Sequence, residues 1–399
     1  MPLIICFRAE CSSEISETMP GDLSSYEFPM SASMLEHFSS LPDDRVDRHK
    51  LYPLPEILLL VVCAVLSGAE GWEAMEEFGK EKLDWLRKFA PFVNGIPSHD
   101  CIATVISRLR PEAFQRCFVS WTRAVAEATG GEVVAVDGKS ARGSHDRRRG
   151  KQALHRVSAW GCRNRLVLGQ EATEEKSNEI TAIPKLLELL ELKGCIVTID
   201  AMGCQTKIAA QIIEQGGDYD LGLKGNQSTL HEEVEEFFTT ATAGAFAHVV
   251  HDYTEETDKD HGRLEVRRYW VTEELRTLSD TARWSALRSI GLVERECWSE
   301  DRHTVERRVS INSIPADAKR FAHAVRGHWG IENRLHWRLD VVFDEDASRI
   351  RKGNAPAILT SIRHRCVNLF EHEPSKLRLA QKRRKAAWND DYRAKVFLG

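Results

Sequence analysis

The chain has 399 residues, of which 42% are hydrophobic and 29% are charged. This composition excludes a largely disordered protein, and the length indicates two or three domains with a substantial core. The formal net charge of −5 argues against uniform nucleic-acid binding, but residues 319–399 contain 18 Lys and Arg against 9 Asp and Glu. We therefore expect a local basic face that is able to bind DNA.

Cysteine usage and hydropathy exclude two further classes of protein. The 10 cysteines form no C-x-x-C pair, which argues against a cysteine-rich zinc site and is typical of reduced thiols in a cytoplasmic protein. The longest apolar run, residues 57–66, is too short to span a bilayer. The N-terminus lacks the basic and apolar regions of a signal peptide. We expect a cytoplasmic protein with no membrane partner.

The first third of the chain is predicted to be helical after a disordered tail. Residues 1–40 are rich in serine and weakly periodic, and they predict the tail. Residues 41–130 predict a small helical domain, with helices over residues 55–67, 72–89 and 101–129.

From residue 131 the pattern changes to β-branched runs that alternate with amphipathic helices, which indicates an α/β domain over residues 131–372. Strands are predicted over residues 132–136, 156–160, 166–171, 195–199 and 219–223, and helices over 180–192, 206–215, 230–238 and 315–339. Three β-like segments, 263–271, 289–298 and 304–311, predict a β-rich insertion at about 225–315. The chain ends in a basic segment, residues 373–399.

Two of the predicted strands end in an aspartate. Asp137 follows EVVAV and Asp200 follows CIVTI, 63 residues later, and Glu332 in HWGIENRLHW offers a third acid. Carboxylates that meet at the carboxyl ends of strands suit Mg²⁺ or Mn²⁺, and two such ions about 4 Å apart are able to catalyse phosphodiester chemistry. A strand-terminal aspartate also serves as a helix cap or turn residue, so the spacing alone leaves both interpretations open.

A resemblance to a known family rests on several long motifs in order. VVAVDGKSARG, KSNEITAIPKLL, VTIDAMGCQ, LKGNQ and HWGIENRLHWRLDVVFDED occur within residues 41–395, and over this range the chain resembles insertion-sequence transposases of the ISAs group, including the H-repeat-associated proteins. The resemblance implies a helical transposase-associated domain and an RNase H-like mixed-sheet catalytic domain. It also implies a DDE triad of Asp137, Asp200 and Glu332, which would hold two Mg²⁺ or Mn²⁺ ions.

The resemblance further implies a DNA transposase. Such an enzyme nicks the ends of its insertion sequence and transfers the 3′-OH ends to target DNA. Its partners would be the terminal inverted repeats, the target DNA and a second subunit in a synaptic complex, and its location would be the cytoplasm, in association with the nucleoid. Three alternatives stay open: a metal-dependent nuclease that does not join DNA, a decayed relative that only binds DNA, and an interaction protein with no role on DNA.

Several polar residues near the acids are candidate DNA contacts. They are Lys139, Arg142, Arg147, Arg148, Arg149, Lys224, Asn226, Gln227 and His328. Basic side chains near a scissile bond bind phosphates, although a solvated surface for the arginines and loop capping for KGNQ are the alternatives.

The helix that carries Glu332 departs from better-known cut-and-paste transposases. Those relatives place Arg four residues before the third acid and Lys seven residues after it, where this chain has His328 and Leu339. The handling of DNA ends, including any hairpin step, therefore stays open. Asp340 is a candidate supporting acid, residues 344–346 predict a solvated loop or a second shell, and Trp329 and Trp337 are expected to pack in the core.

Overall fold

The computed structural model describes residues 34–46, 50–125, 132–146, 150, 152–173, 179–260, 263–300 and 302–398. Most of the predicted tail, residues 1–33, lies outside these ranges, as do three of the candidate DNA contacts, Arg147, Arg148 and Arg149.

Six helices precede the sheet. They are α1 (Met34–Phe38), α2 (Leu54–Leu66), α3 (Trp72–Glu81), α4 (Leu83–Leu86), α5 (His99–Arg108) and α6 (Pro111–Val125). The predicted helix 72–89 is interrupted at Lys82, whose φ of −115° is not helical. The predicted helix 101–129 is two helices, because Pro111 starts a new helix and disfavours helical backbone in the residue before it.

The strands form one mixed sheet. They are β1 (Val133–Ala141), β2 (Leu154–Gly161), β3 (Leu166–Thr173), β4 (Ile196–Ile199), β5 (Asp218–Gly222), β6 (Asp252–Asp260), β7 (Arg263–Thr272), β8 (Ser289–Ser299) and β9 (Arg302–Asn312). Their order is β3-β2-β1-β4-β5-β9-β8-β7-β6. The β1–β4 and β4–β5 pairs are parallel and the others are antiparallel. The predicted mixed α/β architecture is confirmed.

The β-rich segment after β5 extends this sheet. Strand β9 pairs with β5, so β6 to β9 continue the sheet that begins with β1. Strand β6 is not among the predicted strands, because its sequence DYTEETDKD is almost entirely polar and gives no hydrophobic alternation. Three helices connect strands β3 to β6 along the chain: α7 (Glu179–Glu188) follows β3, α8 (Thr206–Glu214) follows β4, and α9 (Ser228–Ala243) follows β5.

The last helices connect the sheet to the N-terminal helices. They are α10 (Ala318–Gly330), a π-helical turn (Ile331–His336), α11 (Trp337–Val341), α12 (Ala355–His372), α13 (Leu379–Trp388) and α14 (Asp390–Leu398). Residues of the N-terminal helices, such as Leu58 and Phe118, share one buried cluster with Cys366 of α12 and Phe397 of α14. The two ends of the described chain therefore stabilise each other through a common core.

Much of the C-terminal basic charge is inside the protein. Arg365 and Arg393 are fully buried, and Lys382 and Arg383 are nearly so. The guanidinium of Arg365 lies 3.4 Å from the ring centroid of Trp121, and charged groups at such sites are held by packing rather than by water. The charge count of residues 319–399 therefore overestimates the basic surface. No helix in the described ranges is long and apolar enough to cross a membrane.

Candidate active site

Strands β1 and β4 bring the first two acids together. Val136 pairs with Ile199 in parallel, so Asp137 and Asp200 follow directly on adjacent strands. Strand β4 ends there as predicted, but β1 continues to Ala141 because its second half pairs with β2. The prediction that the first strand ends before Asp137 is therefore wrong. Asp137 lies inside β1, at the point where its parallel neighbour stops, and its side chain is 16% exposed.

Asp200 performs the capping role that was the alternative interpretation. Its Oδ1 atom accepts the N–H groups of Met202 at 3.1 Å and Gly203 at 3.4 Å, which starts a short 3₁₀ turn. Among the hydrogen bonds of the described residues, none uses its Oδ2 atom. The cap fixes the carboxylate at the carboxyl end of β4 and leaves one oxygen available for a ligand.

Glu332 lies on a π-helical turn. The turn Ile331–His336 interrupts an otherwise continuous helix, a feature that often occurs at functional sites. Ile331 and Leu335 are buried in the core and anchor the turn, whereas Glu332 is exposed. On the same helix, the Nδ1 atom of His336 lies 3.5 Å from the Oδ2 atom of Asp137. The helix therefore brings His336 to the middle of β1, and Glu332 lines the same cleft as Asp200.

The negative charges of Asp200 and Glu332 act on the carboxyl group of Asp137. Burial raises the pKa of Asp137 from its ordinary value of 3.8 to about 7, and the negative charges of Asp200, Glu332 and Glu179 add to the increase, while the Gly138 N–H opposes it. A set of carboxylate oxygens with this repulsion fits a hard divalent cation, which would relieve it. In the part of the chain that the structure describes, however, no three His, Cys, Asp or Glu side chains converge closely enough to form a finished metal site.

A buried polar cluster behind Asp137 was not predicted. His155 Nε2 lies 2.5 Å from Glu179 Oε1, and His155 Nδ1 lies 2.8 Å from Ser140 Oγ. A Cβ atom at Gly138 would overlap the same Glu179 oxygen, so a larger residue there requires the buried Glu179 side chain to shift. Glu179 belongs to the stretch KSNEITAIPKLL, but no local pattern in the sequence identifies His155 on β2 as its partner.

The candidate DNA contacts are in different environments. The Lys139 Nζ atom lies 2.7 Å from Asp340 Oδ1 and 3.4 Å from Asp346 Oδ1, so its charge is balanced inside the protein. Asn226 and Gln227 donate hydrogen bonds to backbone carbonyls of the turn after Asp200, in agreement with loop capping. These three side chains are committed to the protein, and the structure lends no support to their DNA contacts.

Three other candidates remain close to solvent or to the acids. The side chain of Arg142 is 84% exposed, although its Nε atom lies 3.4 Å from Asp346. Lys224 is exposed. His328 Nδ1 lies 3.2 Å from Thr198 Oγ1, and burial lowers the pKa of this histidine below 6.5. Neither tryptophan expected in the core is fully buried, because Trp337 is 56% exposed and Trp329 is partly exposed beneath Arg308.

A cleft of about 1060 Å³ opens beside Asp200 and Glu332. Its walls include Asp200, Glu332, Lys224, His328 and arginines from β7 to β9. Most of these arginines are paired: Arg307, for example, lies 2.7 Å from Glu294. Arg163 and Arg334 also line the cleft, and neither forms an ion pair with a carboxylate of the described residues. These two cations, which were not among the predicted contacts, are available to an anionic ligand.

Comparisons with known proteins show the family to which the chain belongs. Residues 128–369 match the model of the transposase DDE domain, and residues 35–122 match the model of the domain associated with it. The chain belongs to the DDE transposase family. It is 43% identical to the "H repeat-associated putative transposase YhhI" of Escherichia coli K12. The alignment spans 372 residues, which are 92% of this chain and 98% of that protein. The expected membership of the H-repeat-associated group is confirmed.

Two further comparisons complete this picture. The chain is 44% identical to the "Putative transposase YncI" of Escherichia coli O157:H7 over 366 residues, 90% of this chain and 93% of that one. Among solved structures, a piggyBac transposase synaptic complex with hairpin DNA aligns with 91% of this chain and 76% of its own, at 10% identity and a TM-score of 0.43. That structural similarity is too low to support an argument about mechanism.

Proposed function

We propose that this transposase nicks DNA at the ends of its insertion sequence and transfers the resulting 3′-OH ends to target DNA. The observation that carries the proposal is the placement of Asp137 and Asp200 on adjacent parallel strands, facing the helix of Glu332, in a chain of the DDE family. We also propose that strands β3-β2-β1-β4-β5 form the RNase H-like sheet and that β6 to β9 form its insertion.

Asp137, Asp200 and Glu332 would hold Mg²⁺ or Mn²⁺. When bound, two such ions activate the attacking oxygen and stabilise the leaving oxygen of a phosphodiester. The protein's own contribution is to fix Asp137 within β1 through the Gly138 N–H and Asp200 at the carboxyl end of β4 through its cap. It also holds Glu332 on a turn anchored in the core. No serine or tyrosine nucleophile is required, because the attacking groups are water and a DNA 3′-OH.

The cleft beside the acids is the proposed path of the DNA. Three basic residues line it without a carboxylate partner among the described residues: Arg163, Lys224 and Arg334. They would be able to contact phosphates without breaking an ion pair within the protein. Two subunits would hold two ends, as in synaptic complexes of transposases, and the enzyme would act on cytoplasmic, nucleoid-associated DNA.

The test is incubation of the full chain with a labelled duplex of the element's end, target DNA and Mn²⁺ or Mg²⁺. We expect nicking at the element boundary followed by joined products, both lost in Asp200→Asn. Nicking without joining would indicate the nuclease alternative. Salt-sensitive binding without any metal-dependent product would indicate a decayed relative, and the absence of both would indicate an interaction protein.

A further inference from the structure

Two side-chain contacts in register join the strand of Asp137 to the helix of Glu332. Asp137 and Lys139 are alternate residues of β1, so their side chains lie on the same face of the sheet. His336 and Asp340 are four residues apart on the helix, and they face the same side. Asp137 Oδ2 lies 3.5 Å from His336 Nδ1, and Lys139 Nζ lies 2.7 Å from Asp340 Oδ1.

Lys139 is enclosed by acids from the segment that follows Glu332. Besides Asp340, the Asp346 Oδ1 atom lies 3.4 Å from its Nζ atom and the Glu345 Oε2 atom lies 3.6 Å away. The lysine side chain is 12% exposed and that of Glu345 is 1% exposed. Ion pairs in such surroundings are screened little by solvent, and removing one partner leaves the other charge without compensation.

This arrangement differs from that of the other cations near the acids. Arg163 and Arg334 face the cleft without a carboxylate partner in the described ranges, whereas Lys139 points into a set of carboxylates. A lysine that contacts a DNA phosphate has to be exposed to the DNA. A lysine that holds two elements of the protein together forms a stronger ion pair when it is shielded from solvent, and Lys139 is shielded in this way.

We propose that Lys139 and Asp340 are positioning residues, whose ion pair holds the Glu332 helix against β1 and thereby sets the position of Glu332 relative to Asp137. The proposal rests on the proposed function for its catalytic meaning, but the mechanical coupling of strand and helix stands apart from it. Neither residue is proposed to contact the DNA or a metal ion. The π-helical turn Ile331–His336 interrupts the helix before Asp340. The ion pair of Lys139 with Asp340 would hold the segment after this turn against β1.

The variants for the test are Lys139→Met, which removes the charge and keeps the length, and Lys139→Arg, which keeps the charge. Asp340→Asn breaks the same pair from the more exposed side and serves if Lys139→Met does not fold. Arg320→Gln is the matched control. Arg320, on α10, forms a 2.8 Å ion pair with Asp218, the first residue of β5, and this pair does not involve β1.

The first readout is amide hydrogen exchange of the full chain in EDTA. We expect Lys139→Met and Asp340→Asn to lose protection in peptides covering residues 331–341 while the global unfolding transition persists. Lys139→Arg and Arg320→Gln should retain that protection. The double variant should lose no more protection than Lys139→Met, because the pair that Asp340→Asn breaks is already absent in Lys139→Met.

The second readout is Mn²⁺ binding to the DNA-free protein by calorimetry. Loss of a residue that orients ligands typically weakens metal binding by about tenfold to a hundredfold, and we expect this of Lys139→Met but not of Arg320→Gln. Unchanged exchange and unchanged Mn²⁺ affinity in both pair-breaking variants would overturn the proposal, and a reduced salt dependence of DNA binding would then assign Lys139 to phosphate. If exchange changes as expected but the wild type gives no metal-dependent nicking of the element-end duplex, the proposed function fails and the coupling stands.

Discussion

Replacement of Asp137 by asparagine should stabilise the metal-free protein at neutral and alkaline pH. The folded state raises the pKa of this carboxyl from 3.8 to about 7, mainly by burial and also by the charges of Asp200 and Glu332. The folded protein therefore binds the proton more tightly than the unfolded chain does, and ionisation of Asp137 destabilises it. Since one pKa unit corresponds to about 1.4 kcal/mol, the full penalty is at most about 4 kcal/mol.

The sign and the pH window of this effect follow from the two pKa values. Below pH 4 the carboxyl is protonated in both states and the penalty is absent; it grows as the pH rises from about 4 to about 7 and is then constant. The introduced asparagine carries no charge and keeps an oxygen that is able to accept the Gly138 N–H, which lies 2.8 Å from Asp137 Oδ1 in the wild type. The stability difference between variant and wild type should therefore increase across this range.

The assay is urea denaturation in EDTA at pH 5 and pH 8. Asp137→Asn should be more stable than the wild type at both, by a margin larger by about 2.5 kcal/mol at pH 8, while its DNA cleavage is lost. Asp84→Asn is the matched control, since the Asp84 side chain is 99% exposed and its removal should change stability by about 0.5 kcal/mol or less at either pH. A margin that is independent of pH would refute the reasoning.

Three further substitutions test other parts of the account. Gly138→Ala places a Cβ atom against Glu179 Oε1, which is itself buried, so it should destabilise the protein by about 1–3 kcal/mol in urea denaturation; unchanged stability would show that the cluster yields. Arg383→Met removes a buried guanidinium that donates to Val65 O at 3.2 Å, and it should lower the unfolding free energy by about 2–4 kcal/mol; a loss of DNA binding at unchanged stability would contradict a structural role. Arg334→Gln should reduce the slope of log Kd against log salt by about 1 in a fluorescence-anisotropy titration, whereas Arg307→Gln should not, and equal effects would remove the distinction between paired and unpaired arginines.

The strands that carry hydrophobic runs were predictable from the sequence, and so was the position of Asp200. A β-branched run that stops at a polar residue indicates a buried strand locally, and CIVTI before Asp200 is such a run. The extension of β1 beyond Asp137 was not predictable, because DGKS is held in the strand by pairing with β2. Strand β6 was not predictable for the same reason, because its polar sequence is held in a strand by pairing with β7.

The roles of charged residues were less predictable than the positions of the acids. Lys139 next to Asp137 has the sequence context of a phosphate contact, and only the fold brings Asp340 to within 2.7 Å of it. The basic residues of α13 similarly give a surface-like pattern, yet Arg383 is enclosed by the N-terminal helices. A charge pattern reports composition along the chain, whereas burial depends on contacts between residues far apart in sequence.

A thiol in place of one acid tests the central claim, that Asp137, Asp200 and Glu332 hold the metal ions that cleave DNA, most directly. Asp200→Cys replaces a hard oxygen ligand by a soft sulfur, which accepts Mn²⁺ more readily than Mg²⁺. We expect the variant to cleave the element-end duplex in Mn²⁺ and not in Mg²⁺, while the wild type cleaves in both. Cleavage by the variant at wild-type rates in Mg²⁺ would contradict the claim, because Asp200 would then not contact the metal.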